Sequence, residues 1–239
     1  FVFTSSNGTT KLDHEIEKYA SSSGEIISWV EVPTLSATQD TILYVYYGGP
    51  NTGATNQNPT GVWDANYKGV WHLKENPDTD AGTNEIKDST SSATSGTSVN
   101  METTDQTTGQ IDGSLTYDGS NEYTDLGHPA ALDATSAFTL SAWVYATSTP
   151  QGPGVISEQF AGGADRVEYE IGFGIDEGPG GSSKLKVGFF TGAAWATAID
   201  TVNVTTGTWV YITGTWDGTT LRVYKNATEV GTSVPGLAT

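Results

Sequence analysis

The sequence predicts an all-β protein of antiparallel strands, a sandwich or a barrel. Short β-branched and aromatic runs alternate with polar residues at period two, and clusters of Gly, Pro, Asn, Asp and Ser separate the runs at regular intervals. Helical spacing is also scarce. Leu12, Ile16 and Tyr19 offer it within LDHEIEKYA, yet the same segment alternates through Leu12, His14 and Ile16. The longer stretch TTKLDHEIEKYASSSGEIISWVEVP fits two extended runs about the turn SSSG, so strand is the expected state.

Residues 1–50 supply the strands FVFT, KLDHEIEKY, IISWVEV and TILYVYYG, the last ending at the breaker GGP. NTGATNQNP, which follows, is polar, uncharged and rich in turn formers, and reads as a linker over 51–60. Strands are expected to resume with GVWDANYKGVWHL, and residues 88–110, rich in Ser and Thr, read as a long loop. In FTLSAWVYA, Phe138, Leu140, Ala142 and Val144 share one face; Thr139, Ser141, Trp143 and Tyr145 share the other. In GTWVYITGTWDGTTLRVYKNATEVG, Val210, Ile212, Gly214 and Trp216 oppose Trp209, Tyr211, Thr213 and Thr215. Asp217-Gly218 forms the turn and Leu221 and Val223 resume the alternation. Large side chains on both faces are expected where one side packs a core and the other lines a groove or a second layer.

Composition narrows the function. The formal charge is −18, from 28 acidic and 10 basic residues, so phosphate backbones and anionic membrane surfaces are repelled; no nucleic-acid partner is expected. No apolar run is long enough to cross a bilayer as a helix, so no membrane insertion is expected. Cysteine is absent, which removes disulfides, thiolate nucleophiles and thiolate-ligated zinc. His14, His72 and His128 are scattered and complete no zinc motif. Charged residues make up 16% of the chain, below the roughly 25% of ordinary domains, so hydroxyl and amide groups carry much of the solubility. Such a surface fits a solvated extracellular setting, a high-salt habitat or the binding of divalent cations, and the expected location is extracellular, at a cell surface or at a virion surface.

YDGSNEYTDLG (117–127), AFTLSAWVYA (137–146) and the 207–231 phrase, in that order, resemble the LamG (laminin G-type) module of the concanavalin A-like lectin/glucanase superfamily. GVWHL (69–73) resembles the module's first strand, so the resemblance covers 61–239. It implies a jelly-roll sandwich of two antiparallel sheets that binds polysaccharide or glycan, often beside calcium. Residues 1–50 resemble the second half of a domain of unknown function found ahead of LamG modules in archaeal and bacterial surface proteins. The expected organisation is therefore a partial β domain over 1–50, a linker over 51–60 and a sandwich over 61–239. LamG modules carry closing strands beyond the last phrase. Further chain, or neighbouring domains or subunits, is expected to supply them here.

Sugar recognition needs a flat aromatic ring for the C–H face of a pyranose, with polar groups around it for the hydroxyls. Trp195, set among small residues in FFTGAAWATAID, is the first candidate platform; Phe160 and Tyr169, with Glu158 and Arg166, are candidates for flanking a groove. Trp63, Trp71, Trp143, Trp209 and Trp216 are assigned to packing. Asp118, Asn121, Glu122 and Asp125 crowd one acidic segment and are the candidate calcium ligands, with acidic loops at 76–82 and 174–181 as further places. Glu168 and Glu170 lie two apart on an expected strand, about 7 Å between Cα atoms, as a glycosidase pair could. Laminarinase-type glucanases, which share the sandwich, carry E-I-D-I-E on such a strand; the intervening Asp and the third acid are missing here. The leading expectation is a noncatalytic glycan-binding module. The alternatives are a structural subunit of a surface filament, adhesin or phage fibre, and a glycoside hydrolase or lyase.

Overall fold

The computed structural model describes residues 1–49, 56–77, 85–133, 136–148, 155–160, 166–173, 183–190 and 195–234, without the side chains of 158–160 and 166–168. The chain forms two compact units, Phe1–Ala131 and Leu132–Thr239.

The first unit is a set of small antiparallel sheets. Strand β1 (Val2–Thr4) lies between β2 (Lys11–Leu12) and β5 (Tyr44–Tyr46), while β3 (His14–Ala20) and β4 (Glu25–Val30) form a hairpin. The hairpin settles the ambiguity of LDHEIEKYA in favour of strand. Its turn closes with the Gly24 amide on the Ala20 carbonyl, 2.8 Å, Gly24 taking φ +71°. A bulge shifts the pairing so that Ile16 faces Ser28 and Lys18 faces Ile27, leaving Glu17 as the extra residue. The bulge also sets burial: Glu15 and Glu17 turn inward with His14, and Ile16 is only half-buried.

The expected strands of GVWDANYKGVWHL do not form. Pro59 opens a short helical turn, α1 (Pro59–Val62), where its fixed φ is favourable, and the rest of the segment contributes only a bridge between Trp71 and Asp88. Residues 88–110, expected as a loop, hold β6 (Thr97–Val99), a 3₁₀ turn at Thr103–Asp105 and β7 (Gln106–Thr108). Strand β7 pairs with β8 (Gly113–Leu115), and β6 with β9 (Tyr123–Asp125). Asp88 organises this region: Oδ1 accepts the Val70 and Thr90 amides, and Oδ2 accepts the Thr94 amide and the Thr90 hydroxyl.

The border expected at residue 61 falls inside this unit. The Gln57 side chain accepts the Ile16 amide at 2.6 Å, and the Asn58 amide donates to the His14 carbonyl at 3.0 Å. A segment whose composition reads as linker is thus tied to β3; residues 51–55 of it lie outside the described set.

The second unit is a sandwich. One sheet has the order β10-β15-β16-β17, from β10 (Phe138–Tyr145), β15 (Trp209–Trp216), β16 (Leu221–Lys225) and β17 (Thr228–Ser233). The other runs β11-β12-β13-β14, from β11 (Ile156–Phe160), β12 (Arg166–Phe173), β13 (Lys184–Phe190) and β14 (Trp195–Asn203). Between them Ile171, Leu185, Val187 and Ala198 meet Val210, Ile212, Leu221 and Val223, with Phe138, Leu140, Ala142, Val144 and Trp216 packed alongside. These inward faces are the ones period two assigns. At one margin β17 closes on β14 so tightly that Gly231 has no room for a side chain: a Cβ there would stand 2.2 Å from the Ile199 carbonyl oxygen. Lys225 reaches from β16 to the buried Asp200 of β14 at 2.6 Å, joining the two sheets by charge as well as by apolar contact.

Two hairpin turns complete the β15–β17 region. Asp217 Oδ1 accepts the Thr219 and Thr220 amides while Gly218 takes φ +91°. Lys225 pairs with Thr228 across a two-residue turn in which Asn226 and Ala227 both have positive φ, 49° and 65°. Asn226 Oδ1 accepts the Tyr211 amide, and its own amide donates to the Tyr211 carbonyl.

Candidate functional site

The outward face of β10 and β15 is aromatic. Trp143 stands opposite Tyr211, and Tyr145 opposite Trp209, in the antiparallel register. The ring centroids lie 5.2 Å and 5.5 Å apart, each pair tilted rather than stacked. Successive pairs are two residues on, a step of about 7 Å along the strand. Trp143 is 40% exposed and Tyr145 44%, large values for rings that sit in the middle and at the end of a sheet strand. Trp143 was expected to pack, because it stands in a strand phrase that resembles the LamG pattern. The structure shows instead that the inner set, Phe138, Leu140, Ala142 and Val144, meets the core and the Trp143 set faces outward. Alternation puts Thr139, Ser141, Thr213 and Thr215 on the same outward face, with Tyr224 and Arg222 following on β16. Arg222 is fixed by Asp217 at 2.6 Å and lies 3.9 Å from Glu229. The carboxylate of Asp217 is held well below its usual range, first by Arg222 and then by the turn amides. The surface therefore offers flat apolar rings bordered by hydroxyls and one oriented guanidinium.

The residues singled out from sequence are distributed differently. Trp195 begins β14 and lies over Gly188, where a Cβ would meet its ring at 2.5 Å; it faces the Phe190 ring at 6.5 Å and is only half-exposed. Tyr169 is not a groove residue. It is 5% exposed, points into the core against Phe138 at 5.3 Å, and its hydroxyl donates to the Leu132 carbonyl at 2.9 Å. Its register partner is Phe189, also inward, so strand alternation carries it away from the outer surface. The side chains of Glu158, Phe160, Arg166 and Glu168 lie outside the described set. Glu170 is buried on the opposite face of β12, 3.4 Å from the Lys186 ammonium.

Asp118, Asn121, Glu122 and Asp125 do not form a ligand set. Asp118 Oδ1 accepts the Ser120 and Asn121 amides, Glu122 accepts the Asp118 amide, and Asp125 accepts the Gly127 amide. The Ser120 amide leads the contacts that lower the Asp118 carboxyl from its usual range. These oxygens act as turn caps, and among the described residues no three carboxylate or histidine side chains converge as a metal site would need. The acidic loop at 174–181 and most of that at 76–82 lie outside the described residues.

A second polar centre, in the first unit, has no counterpart in the sequence reading. His72 lies between two buried carboxylates, its Nε2 3.2 Å from Glu15 Oε2 and its Nδ1 2.5 Å from Glu17 Oε2. The Trp63 indole N–H donates to Glu15 at 3.0 Å, the Trp29 indole N–H to Glu17 at 2.8 Å, and the Ser89 hydroxyl to Glu15 at 2.6 Å. Lys74 donates to the Glu17 carbonyl at 2.7 Å and stands 3.5 Å from its carboxylate. Burial works against charge on His72, but the hydrogen bonds to Glu15 and Glu17 outweigh it and push its pKa up to about 9. Burial likewise opposes ionisation of Glu15, yet the bonds from His72, Ser89 and Trp63 draw it down to about 2. Glu17 is lowered by the same balance, with His72 and Trp29 as donors. The pKa of His14, by contrast, is lowered, chiefly by burial. The alternating glutamates of HEIE were the available signal; what hid their role is that every partner comes from beyond β3.

Residues 2–118 match a family described as a domain of unknown function, DUF2341, and residues 118–238 match the family described as the concanavalin A-like lectin/glucanases superfamily. The first match extends well past residue 50, and the second starts at 118 rather than 61, so GVWHL belongs with the first. No curated protein matches the chain. The layered second unit and the match over half of the sequence agree: the chain belongs to the concanavalin A-like lectin/glucanases superfamily, in its laminin G-type branch, preceded by a DUF2341 domain.

Proposed function

We propose that the second unit is a noncatalytic carbohydrate-binding module and that its ligand lies across the outward face of β10 and β15. The carrying observation is the outward double pair Trp143–Tyr211 and Tyr145–Trp209, of which Trp143 and Tyr145 are exposed. Pyranose C–H faces stack on such rings, while Thr139, Ser141, Thr213 and Arg222 are placed to bond hydroxyls. The absence of a nucleic-acid footprint and the hydroxyl-rich, acidic composition support a polysaccharide or glycan on a cell- or virion-surface protein. The pairing of Glu170 with Lys186 supports a reading without catalysis, since a carboxylate so engaged and 3% exposed is poorly placed to attack a glycoside.

Affinity electrophoresis against a panel of soluble polysaccharides tests this. At least one polymer is expected to retard the protein, with or without chelator. Trp143→Ala and Tyr145→Ala should each weaken retention about tenfold, the size of an aromatic contact worth more than 1 kcal/mol. Thermal stability should change little, because both rings point to solvent. Trp195→Ala should leave retention near wild type. Full retention in Trp143→Ala, or loss of retention on chelation, counts against the proposal.

A further inference from the structure

The buried centre of the first unit holds two tryptophans by their indole nitrogens, and those rings form the wall of an open cleft. Trp29, Trp63 and Tyr67 line a cavity of about 280 Å³ beside Glu31 and Asp64. Trp63 contacts Trp29 at 5.4 Å between centroids, tilted, and Tyr67 at 5.0 Å, edge-on, so the rings meet at angles and form a corner. His72 stacks on Trp29 from behind at 6.2 Å. A pair of buried carboxylates, each with several donors, is more apparatus than two packed indoles require. Its effect is to fix both rings before anything arrives, which is how recognition sites are prepared.

Charge says what would arrive. Beneath the cleft, Glu15 and Glu17 are balanced by His72 and Lys74. In the cleft wall Glu31 and Asp64 have no such balance, since among the described residues no Lys or Arg contributes to the lining. The Asp64 carboxylate accepts the Asn66 amide and side chain, which fixes its position without neutralising it. Electron-rich ring faces set at angles, with carboxylates at the margin, attract an ammonium group through the ring quadrupole and by Coulomb attraction. A neutral sugar would use the rings but not the charge.

We propose that this cleft of the DUF2341 domain binds an organic ammonium headgroup, quaternary or methylated, against Trp29, Trp63 and Tyr67 with Glu31 and Asp64 as counter-charges. This site is separate from the carbohydrate surface of the second unit and does not depend on it. Calorimetric titration of the intact chain with choline, its neutral isostere 3,3-dimethyl-1-butanol, and glucose tests the idea. Choline is expected to bind saturably, and the isostere at least tenfold more weakly. Tyr67→Ala, removing a ring that is half-exposed, should weaken choline about tenfold with the melting temperature unchanged. Asp64→Asn, which retains a turn-competent side chain, and Glu31→Gln should each weaken it severalfold, and added salt should do the same. No saturable choline binding, equal binding of the isostere or of glucose, or undiminished binding in Tyr67→Ala overturns the proposal.

Discussion

His72→Ala is expected to destabilise the chain by about 3–5 kcal/mol, because it leaves Glu15 and Glu17 buried and facing each other without the cation between them. The same array makes wild-type stability depend on pH at both ends. The His72 pKa is raised to about 9, so its contribution is complete below its ordinary 6.5 and is lost as pH rises through 9. The Glu15 pKa is lowered to about 2, so its contribution is complete above its ordinary 4.5 and is lost as pH falls through 2. These are two views of one interaction, worth about 3 kcal/mol when counted once. Thermal unfolding followed from pH 2 to 10, a span set by those two values, should show a plateau between about 4.5 and 6.5 with decline on either side. In His72→Gln, which keeps a neutral donor and should fold more readily than the alanine variant, the alkaline decline should disappear. An unchanged alkaline limb in that variant would show that His72 is not the titrating group.

Gly231→Ala should cost about 3 kcal/mol, near the top of the range for overpacking. The new methyl would meet three backbone atoms of Ile199, at 2.2 Å, 2.6 Å and 3.0 Å. No rotamer change can relieve a clash with main chain, so β17 would have to move off β14, loosening the margin where Lys225 and Asp200 also meet. Urea unfolding measures the loss. Glu229→Ala, two residues away and exposed, should stay within about 0.5 kcal/mol of wild type. Comparable stability for the two variants would mean that the sheets separate there more easily than the geometry allows.

The second unit was legible wherever one face of a strand meets a core. Phe138, Leu140, Ala142 and Val144, and Val210, Ile212 and Gly214, fall inward as alternation requires. Alternation says which side chains share a face, but not whether another layer covers it. Trp143, standing in a LamG-like strand phrase, therefore read as packed, and the outward aromatic pairs were passed over for Trp195. Tyr169 failed for the converse reason: a polar-tipped aromatic next to acidic residues looked like surface, yet its hydroxyl finds a carbonyl at the core's margin. In the first unit, local composition misled. Gln57 and Asn58 sit in linker-like sequence and bond to β3, and Thr97, Thr107 and Thr108 lie in strands. The Glu15–His72–Glu17 array was beyond any local pattern, because its members meet only after distant segments assemble.

The Asn226 clasp on Tyr211 makes the β16–β17 reversal a strut beneath the aromatic surface. Lengthening that loop by even one residue would leave every ring of the proposed binding face in place in the sequence, yet it would free the strand under Tyr211 to shift. Ligand preference across related modules should therefore vary with this remote bend as well as with the rings themselves, and grafting a different surface onto the sandwich would require keeping the bend.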